Sequence, residues 1–278
     1  ATHNLGGEIT YRYVGANSYE ITTKLYTDCN GVPPGPSINV DYSSVSCNIN
    51  QFVTLGKVYT KDISQVCDTM MLACNGGSLP GLYETVYQGT ITVLPTCSDW
   101  VLSYDLCCRG VPTNSSSSTA NFYIETTFDN TFAINESPYF ADSPRWMVPV
   151  NGMNLINAGA YDADGDSLYY SLVTPKASSA SNIIYAAGYS ANQPFGGMST
   201  TIDSKTGIIS TLAQNVGQFI VAVKVDEYRN GNLINTVYRD FQFNVINCPP
   251  LPNPGIGPMD GCSGLAINFT NTSRQFKN

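Results

Sequence analysis

The chain has 278 residues, enough for two domains with separate cores, and only 12% are charged against the quarter usual in globular proteins. Its formal net charge is −8, and no basic patch offsets it, a balance that repels nucleic acid and anionic lipid. No stretch approaches the ~20 apolar residues of a membrane-spanning helix, and no window sustains the apolar i, i+3, i+4, i+7 spacing of an amphipathic helix, so the predicted fold class is all-β.

The chain opens Ala1-Thr2-His3-Asn4 without a Met, and a small first residue is what signal-peptide cleavage leaves, so export is expected. Residues 8–26 predict a hairpin: Glu8 to Val14 alternates, Gly15-Ala16-Asn17 turns, and Tyr19 to Leu25 alternates back. After a Pro/Gly-rich loop at 31–37, strands are predicted near 39–46, 51–55, 84–94, 99–106 and 120–128. The polar run Asn114 to Ser118 is the loop between the last two.

Nine cysteines stand at Cys29, Cys47, Cys67, Cys74, Cys97, Cys107, Cys108, Cys248 and Cys262. No pair has the Cys-x2-Cys spacing of a zinc site, and His3 is the sole histidine. Disulfides formed in an oxidising compartment are the natural reading, with connectivity left open by the sequence. Cys107 and Cys108 are adjacent; neighbouring strand residues point to opposite faces, so these two are expected to pair with different partners.

Around Asn135-Glu136-Ser137-Pro138-Tyr139-Phe140 the pattern breaks, and cysteines vanish until Cys248. That places a disulfide-rich N-terminal β-sandwich at 1–136 and a second at 137–247. Strands of the second are predicted near 155–160, 167–174, 199–203, 207–211, 216–226 and 234–246, with Asp203 to Gly207 a turn between two short ones. Val221, Val223 and Val225, and likewise Phe241, Phe243 and Val245, alternate with polar positions and mark core faces. The Pro-rich run from Cys248 to Pro254 is a stiff linker. Beyond it, Gly261 to Ser273 begins another alternating strand, so 248–278 reads as a linker and the start of a third domain in a longer array.

The run Asp162-Ala163-Asp164-Gly165-Asp166 carries the most chemistry. Three carboxylates at every second position must be solvated, protonated or neutralised by a cation. Gly165 lets the backbone fold so that they converge. Oxygen ligands on a tight loop suit Ca²⁺, which takes six to eight of them; a solvated acidic turn is the alternative. Catalysis is poorly served, and no enzyme is expected. His3 lies at the terminus, so no Ser-His-Asp or Cys-His pair assembles, and no spacing among Glu84, Asp99, Asp105 and Glu125 favours a glycosidase pair. Trp100, Trp146 and eighteen tyrosines sustain an alternative, a carbohydrate-binding module stacking rings on sugars, although aromatics are also good strand formers.

Three segments carry a resemblance. Cys262 and the alternation ending Phe269-Thr270-Asn271-Thr272-Ser273 resemble the opening strand of a PKD-type Ig-like repeat. Asp162-x-Asp164-Gly165-Asp166-Ser167-Leu168, Ile202-Asp203-x-x-Thr206-Gly207-x-Ile209 and Gly217-x-Phe219-x-Val221-x-Val223 resemble, in order, a cadherin-like module, with Asn135-Glu136-Ser137-Pro138-x-Phe140 similar to its junction. With Gly6-Gly7-Glu8-Ile9, Leu25-Tyr26-Thr27-Asp28-Cys29, Asp99-Trp100, Cys107-Cys108-Arg109 and Asp226-Glu227-Tyr228-Arg229, the chain resembles the N-terminal region of large Bacteroidetes surface adhesins of the SprB-like, gliding-motility-associated class. Those proteins are exported by the type IX secretion system and carry PKD repeats.

The resemblance implies a non-enzymatic structural or adhesive module of an extracellular cell-surface protein. Its partners would be an external surface or glycan, neighbouring filament subunits, and the secretion machinery during export. It also implies one Ca²⁺ where the two domains meet, held by Asp162, Asp164 and Asp166, with Glu136 from the junction and Asp226 from a late strand as further ligands. For Asp226 and its neighbour Glu227, a solvated strand end is the alternative. Asp68-Thr69-Met70 is similar to the Bacteroidetes O-glycosylation sequon and marks Thr69 for a sugar. One departure stands out: Met147-Val148-Pro149-Val150 occupies the place where the resemblance implies a cysteine to pair with Cys248.

Overall fold

The structure, a computed structural model, describes residues 4–64, 71–77, 80–92, 95–110, 112–117, 121–131 and 134–247. Cys67, Thr69, Cys248, Cys262 and the predicted linker and third domain at 248–278 lie outside the described residues.

The described chain is all-β, as composition and periodicity predict, with a single 3₁₀ turn at Ala73–Asn75. The first half supplies β1 (Asn4–Gly15), β2 (Ser18–Asp28), β3 (Ser37–Ser44), β4 (Ile49–Asp62), β5 (Leu82–Thr92), β6 (Trp100–Leu106) and β7 (Phe122–Phe128). The second supplies β8 (Met147–Pro149), β9 (Met153–Asn157), β10 (Ser167–Val173), β11 (Lys176–Ser178), β12 (Ser181–Asn182), β13 (Thr201–Ile202), β14 (Ile208–Leu212), β15 (Gly217–Arg229) and β16 (Asn232–Ile246). β1 and β2 form the predicted hairpin, turning through Ala16 and Asn17, both at positive φ, the backbone hand that matches strand twist in a two-residue turn.

The first seven strands pair in the order β1-β2-β5-β4-β3-β6-β7, and both ends of that series meet β16. β7 pairs with β16 at Asn235 to Val237, and β1 pairs with it at Arg239 to Phe241. The strands therefore curl around a first core containing Ile9, Ile21, Leu55, Tyr87, Trp100 and Phe122. In the second half, β8-β16-β15-β10 and β13-β14-β9 enclose a second core with Trp146, Ile156, Ile209, Phe219, Val221 and Phe243. Neither the cores nor the sheet divide at the predicted boundary near 137, because Leu5, Tyr26 and Leu82 pack into the second core. β16, fifteen residues long, pairs with β15 along one edge and with β7, β1 and β8 in series along the other. β1 is buried on both faces from Asn4 to Tyr11.

Two neighbouring residues anchor β16. Arg239 donates from Nε to Glu8 at 2.5 Å, and Asp240 accepts from Arg109 at 2.6 Å, all four side chains being buried. Successive strand residues face opposite ways, so the pairs grip the strand from both sides. β1 reaches it only because Gly6 lacks a side chain: a Cβ there would stand 2.4 Å from the Asp240 carbonyl oxygen.

Cys29–Cys74 and Cys47–Cys97 tie positions 45 and 50 residues apart, which in the chain-entropy account is worth roughly 4 kcal/mol each. The expectation that Cys107 and Cys108 take different partners is corrected, because they bond to each other. β6 ends at Leu106, so the alternation of a strand does not govern them.

Gly6→Ala is expected to lower stability by about 1–3 kcal/mol, the scale of overpacking against an unyielding neighbour. Gly56→Ala, where nothing lies within 4 Å of the new atom, should be close to neutral; equilibrium denaturant unfolding of both variants compares them.

Candidate functional site

The period of β15 builds one wall of the site. Phe219, Val221, Val223 and Val225 face the second core, and the same parity carries Glu227 inward at the end of the strand, where it is fully buried. The loop after β9 supplies the other wall. Gly165 turns it at φ 80, and Asp162 Oδ1 accepts the Asp166 backbone N–H at 2.7 Å. One carboxylate oxygen each from Asp162, Asp166 and Glu227 then lie within 4.8 Å of one another.

Arg229, two residues past Glu227, reaches into this cluster. Its Nε donates to both oxygens of Asp166 at 3.0 Å, and its Nη2 donates to Asp164 at 3.2 Å and to Asn135 Oδ1 at 2.7 Å. Its Nη1 donates to the Ile134 carbonyl at 2.9 Å. The guanidinium neutralises two of the loop acids, and these contacts, Asp166 foremost, hold its pKa above the ordinary arginine value. Motif reading assigned Arg229 no role, because its partners come from a loop more than sixty positions away.

Asp162 and Glu227 have no such answer. Glu227 Oε2 accepts from Asn235 at 2.8 Å and Asn135 at 3.1 Å, while Glu227 Oε1 and Asp162 Oδ2 are buried with no donor. Asp162 is 8% exposed and Glu227 0%. Burial, reinforced by the charge of Asp162, pushes Glu227 up to about 8 against the pull of the Asn235 hydrogen bond; burial likewise raises Asp162. Two carboxylates in this state call for a proton or a cation between them. Oxygens 4.8 Å apart or less suit a single Ca²⁺, whose Ca–O bonds of roughly 2.3–2.6 Å span that distance in two.

The expected ligands divide. Asp162 and Asp166 belong to the cluster. Asp164 turns to Arg229 and to the backbone N–H of Glu136, 2.9 Å away. Glu136 meets the loop through that N–H, and burial first, Asp164 second, raise its carboxyl. Asp226 lies buried on the opposite face of β15, bonded to Thr236 at 2.8 Å and Lys224 at 2.6 Å, so strand parity puts Glu227, not Asp226, at the cluster. The loop rests on the junction, where Asn135 donates to Tyr11 Oη at 3.1 Å and Ser137 exchanges hydrogen bonds with the Tyr11 backbone.

Trp100 and Trp146 are each 1% exposed and present no ring to a sugar. Glu84 accepts from Tyr59 and Ser143, Asp99 from Ser44 and Ser46, and Glu125 from Lys176 and Tyr123; Asp105 lies exposed on β6. Comparison with known protein families, characterised proteins and solved structures finds no match for the chain.

Without divalent cations, stability should fall as pH rises from about 5 to about 8. A buried carboxyl with a raised pKa keeps its proton in the folded state while the unfolded chain loses it, so the cost of burying charge grows through that window. Glu227→Gln should flatten the slope, as thermal melts across pH in EDTA will show.

Proposed function

We propose that this chain is a non-enzymatic structural and adhesive module of a long extracellular cell-surface protein, stiffened by disulfides and by one Ca²⁺ at the acidic cluster. The observation that carries the ion is the convergence of Asp162, Asp166 and Glu227, with a buried, donorless oxygen on each of Asp162 and Glu227. The chemistry of the donor set fits: hard oxygens, two buried carboxyl groups without a cationic partner and a loop held by Arg229. Extracellular placement is supported by three disulfides among the described residues, and by the resemblance to type IX-secreted, PKD-bearing, gliding-associated adhesins. On that resemblance, residues 248–278 lead into the next repeat of a surface filament. The carbohydrate-binding alternative loses its strongest platforms with the burial of Trp100 and Trp146.

Calorimetric titration of Ca²⁺ into EDTA-stripped protein tests the reading. One ion per chain should bind, raise the melting temperature, and release up to one proton near pH 7 from Glu227, detected as heats that vary with buffer ionisation enthalpy. Asp162→Asn and Glu227→Gln should each weaken binding at least about tenfold. Absent heats and an unmoved melting temperature would sink the site; a positive glycan array would revive the alternative.

A further inference from the structure

One of the three disulfides differs in kind from the other two. Cys29–Cys74 and Cys47–Cys97 connect distant positions, whereas Cys107 and Cys108 are neighbours in the chain. A disulfide stabilises mainly by restricting the unfolded chain, through the loop it closes, and a bond between adjacent residues closes only its own eight-membered ring. Its surroundings differ too. Cys107, just past β6, is exposed and Cys108 half-buried, whereas Cys29, Cys47 and Cys74 are half-buried and Cys97 is buried. The fold beneath the pair is held by other means: Arg109, the next residue, donates to the Asn121 carbonyl, to both oxygens of Asp240 and to the Lys176 carbonyl, and lies over the Phe122 ring. A cross-link that ties no two distant segments together, placed where an external thiol can reach it, invites an explanation in its chemistry.

We propose that Cys107–Cys108 is a thiol–disulfide exchange site whose substrate is an external dithiol. A thiolate of the dithiol bonds to the exposed Cys107 Sγ; the Cys107–Cys108 bond breaks, and Cys108 leaves as a thiolate that takes up a proton. The second thiolate of the reductant attacks its own sulfur in the mixed disulfide. Cys107 is released and protonated, and the reductant departs as its disulfide. Two electrons pass to the protein, while Cys29–Cys74 and Cys47–Cys97 stay oxidised. The site is independent of the acidic cluster and of any ion there.

The test is a dithiothreitol titration of the folded, full chain, with thiols trapped by N-ethylmaleimide and located by peptide mass spectrometry. Cys107 and Cys108 should be labelled together at a dithiol concentration at least about tenfold below that labelling Cys29, Cys74, Cys47 and Cys97. Reduction in step with the other two bonds, or labelling of Cys107 and Cys108 before any reductant is added, would overturn the proposal. A second measurement guards against a fold effect. The C107S/C108S variant should melt within about 2 °C of the parent while C29S/C74S falls further; an equal fall for C107S/C108S would make the pair a staple and refute exchange.

Discussion

The architecture depends on β16 joining two sets of strands: Val237, Phe241, Phe243 and Val245 pack in the second core, while its backbone pairs with β7 and β1, which also line the first. Its outer edge is divided among β7, β1 and β8, and its inner edge is taken by β15. A strand so placed has few side chains free for solvent, and at its centre the sequence sets two charges, Arg239 and Asp240. Buried charges are tolerated when paired and hydrogen-bonded, and removing one partner costs far more than the pair contributes. Here Arg239 meets Glu8 from β1, and its guanidinium also reaches the Tyr26 hydroxyl and the Asp142 carbonyl. Asp240 meets Arg109, which reaches Lys176 in the second half. The pairs join positions 131 and 231 residues apart, so the two ion pairs also select the register in which these segments come together.

That arrangement changes what the junction at 134–137 has to do. In a string of domains joined by linkers, orientation rests on the linker and on whatever binds it. Here a shared strand already sets the relation between the cores, and the junction is a strap across it, held by Tyr11, Asn135 and Ser137. Stiffness comes first from the continuous sheet and the paired charges.

Much of this was legible in the sequence, and the illegible parts share a cause. Local periodicity located nearly every long strand, because alternation of buried and exposed positions is a property of the segment itself. β4 is the instructive exception. It continues to Asp62 through residues exposed almost without interruption, held by backbone pairing to β5 rather than by a buried face, so no hydrophobic signal marked its second half. The pairing of β1 with β16 joins positions more than two hundred apart and left only Gly6 as a trace. Within the site, the parity of Val221, Val223 and Val225 extends to Glu227 and could have chosen it over Asp226. The role of Arg229 could not be read the same way, since it depends on where the loop at 162–166 comes to rest.

The carboxylates of the acidic loop therefore fall into two sets. Asp164 and Asp166 are answered by a guanidinium from the chain itself, so the loop keeps its shape whatever the solution contains. Asp162 and Glu227 are left with the orphan oxygens, which only a proton or a cation shared with Asp166 would answer. All three clustered carboxylates belong to the second half, one loop and one strand. An ion there would fasten that loop to β15 directly and would touch the junction only at second hand, through Asn135 on Glu227 and the Glu136 N–H on Asp164. The consequence is graded rather than all-or-none. Losing the ion would loosen the strap at 134–137 and the β10 edge beside it, while the union of the two cores, resting on β16 and its buried charges, would persist.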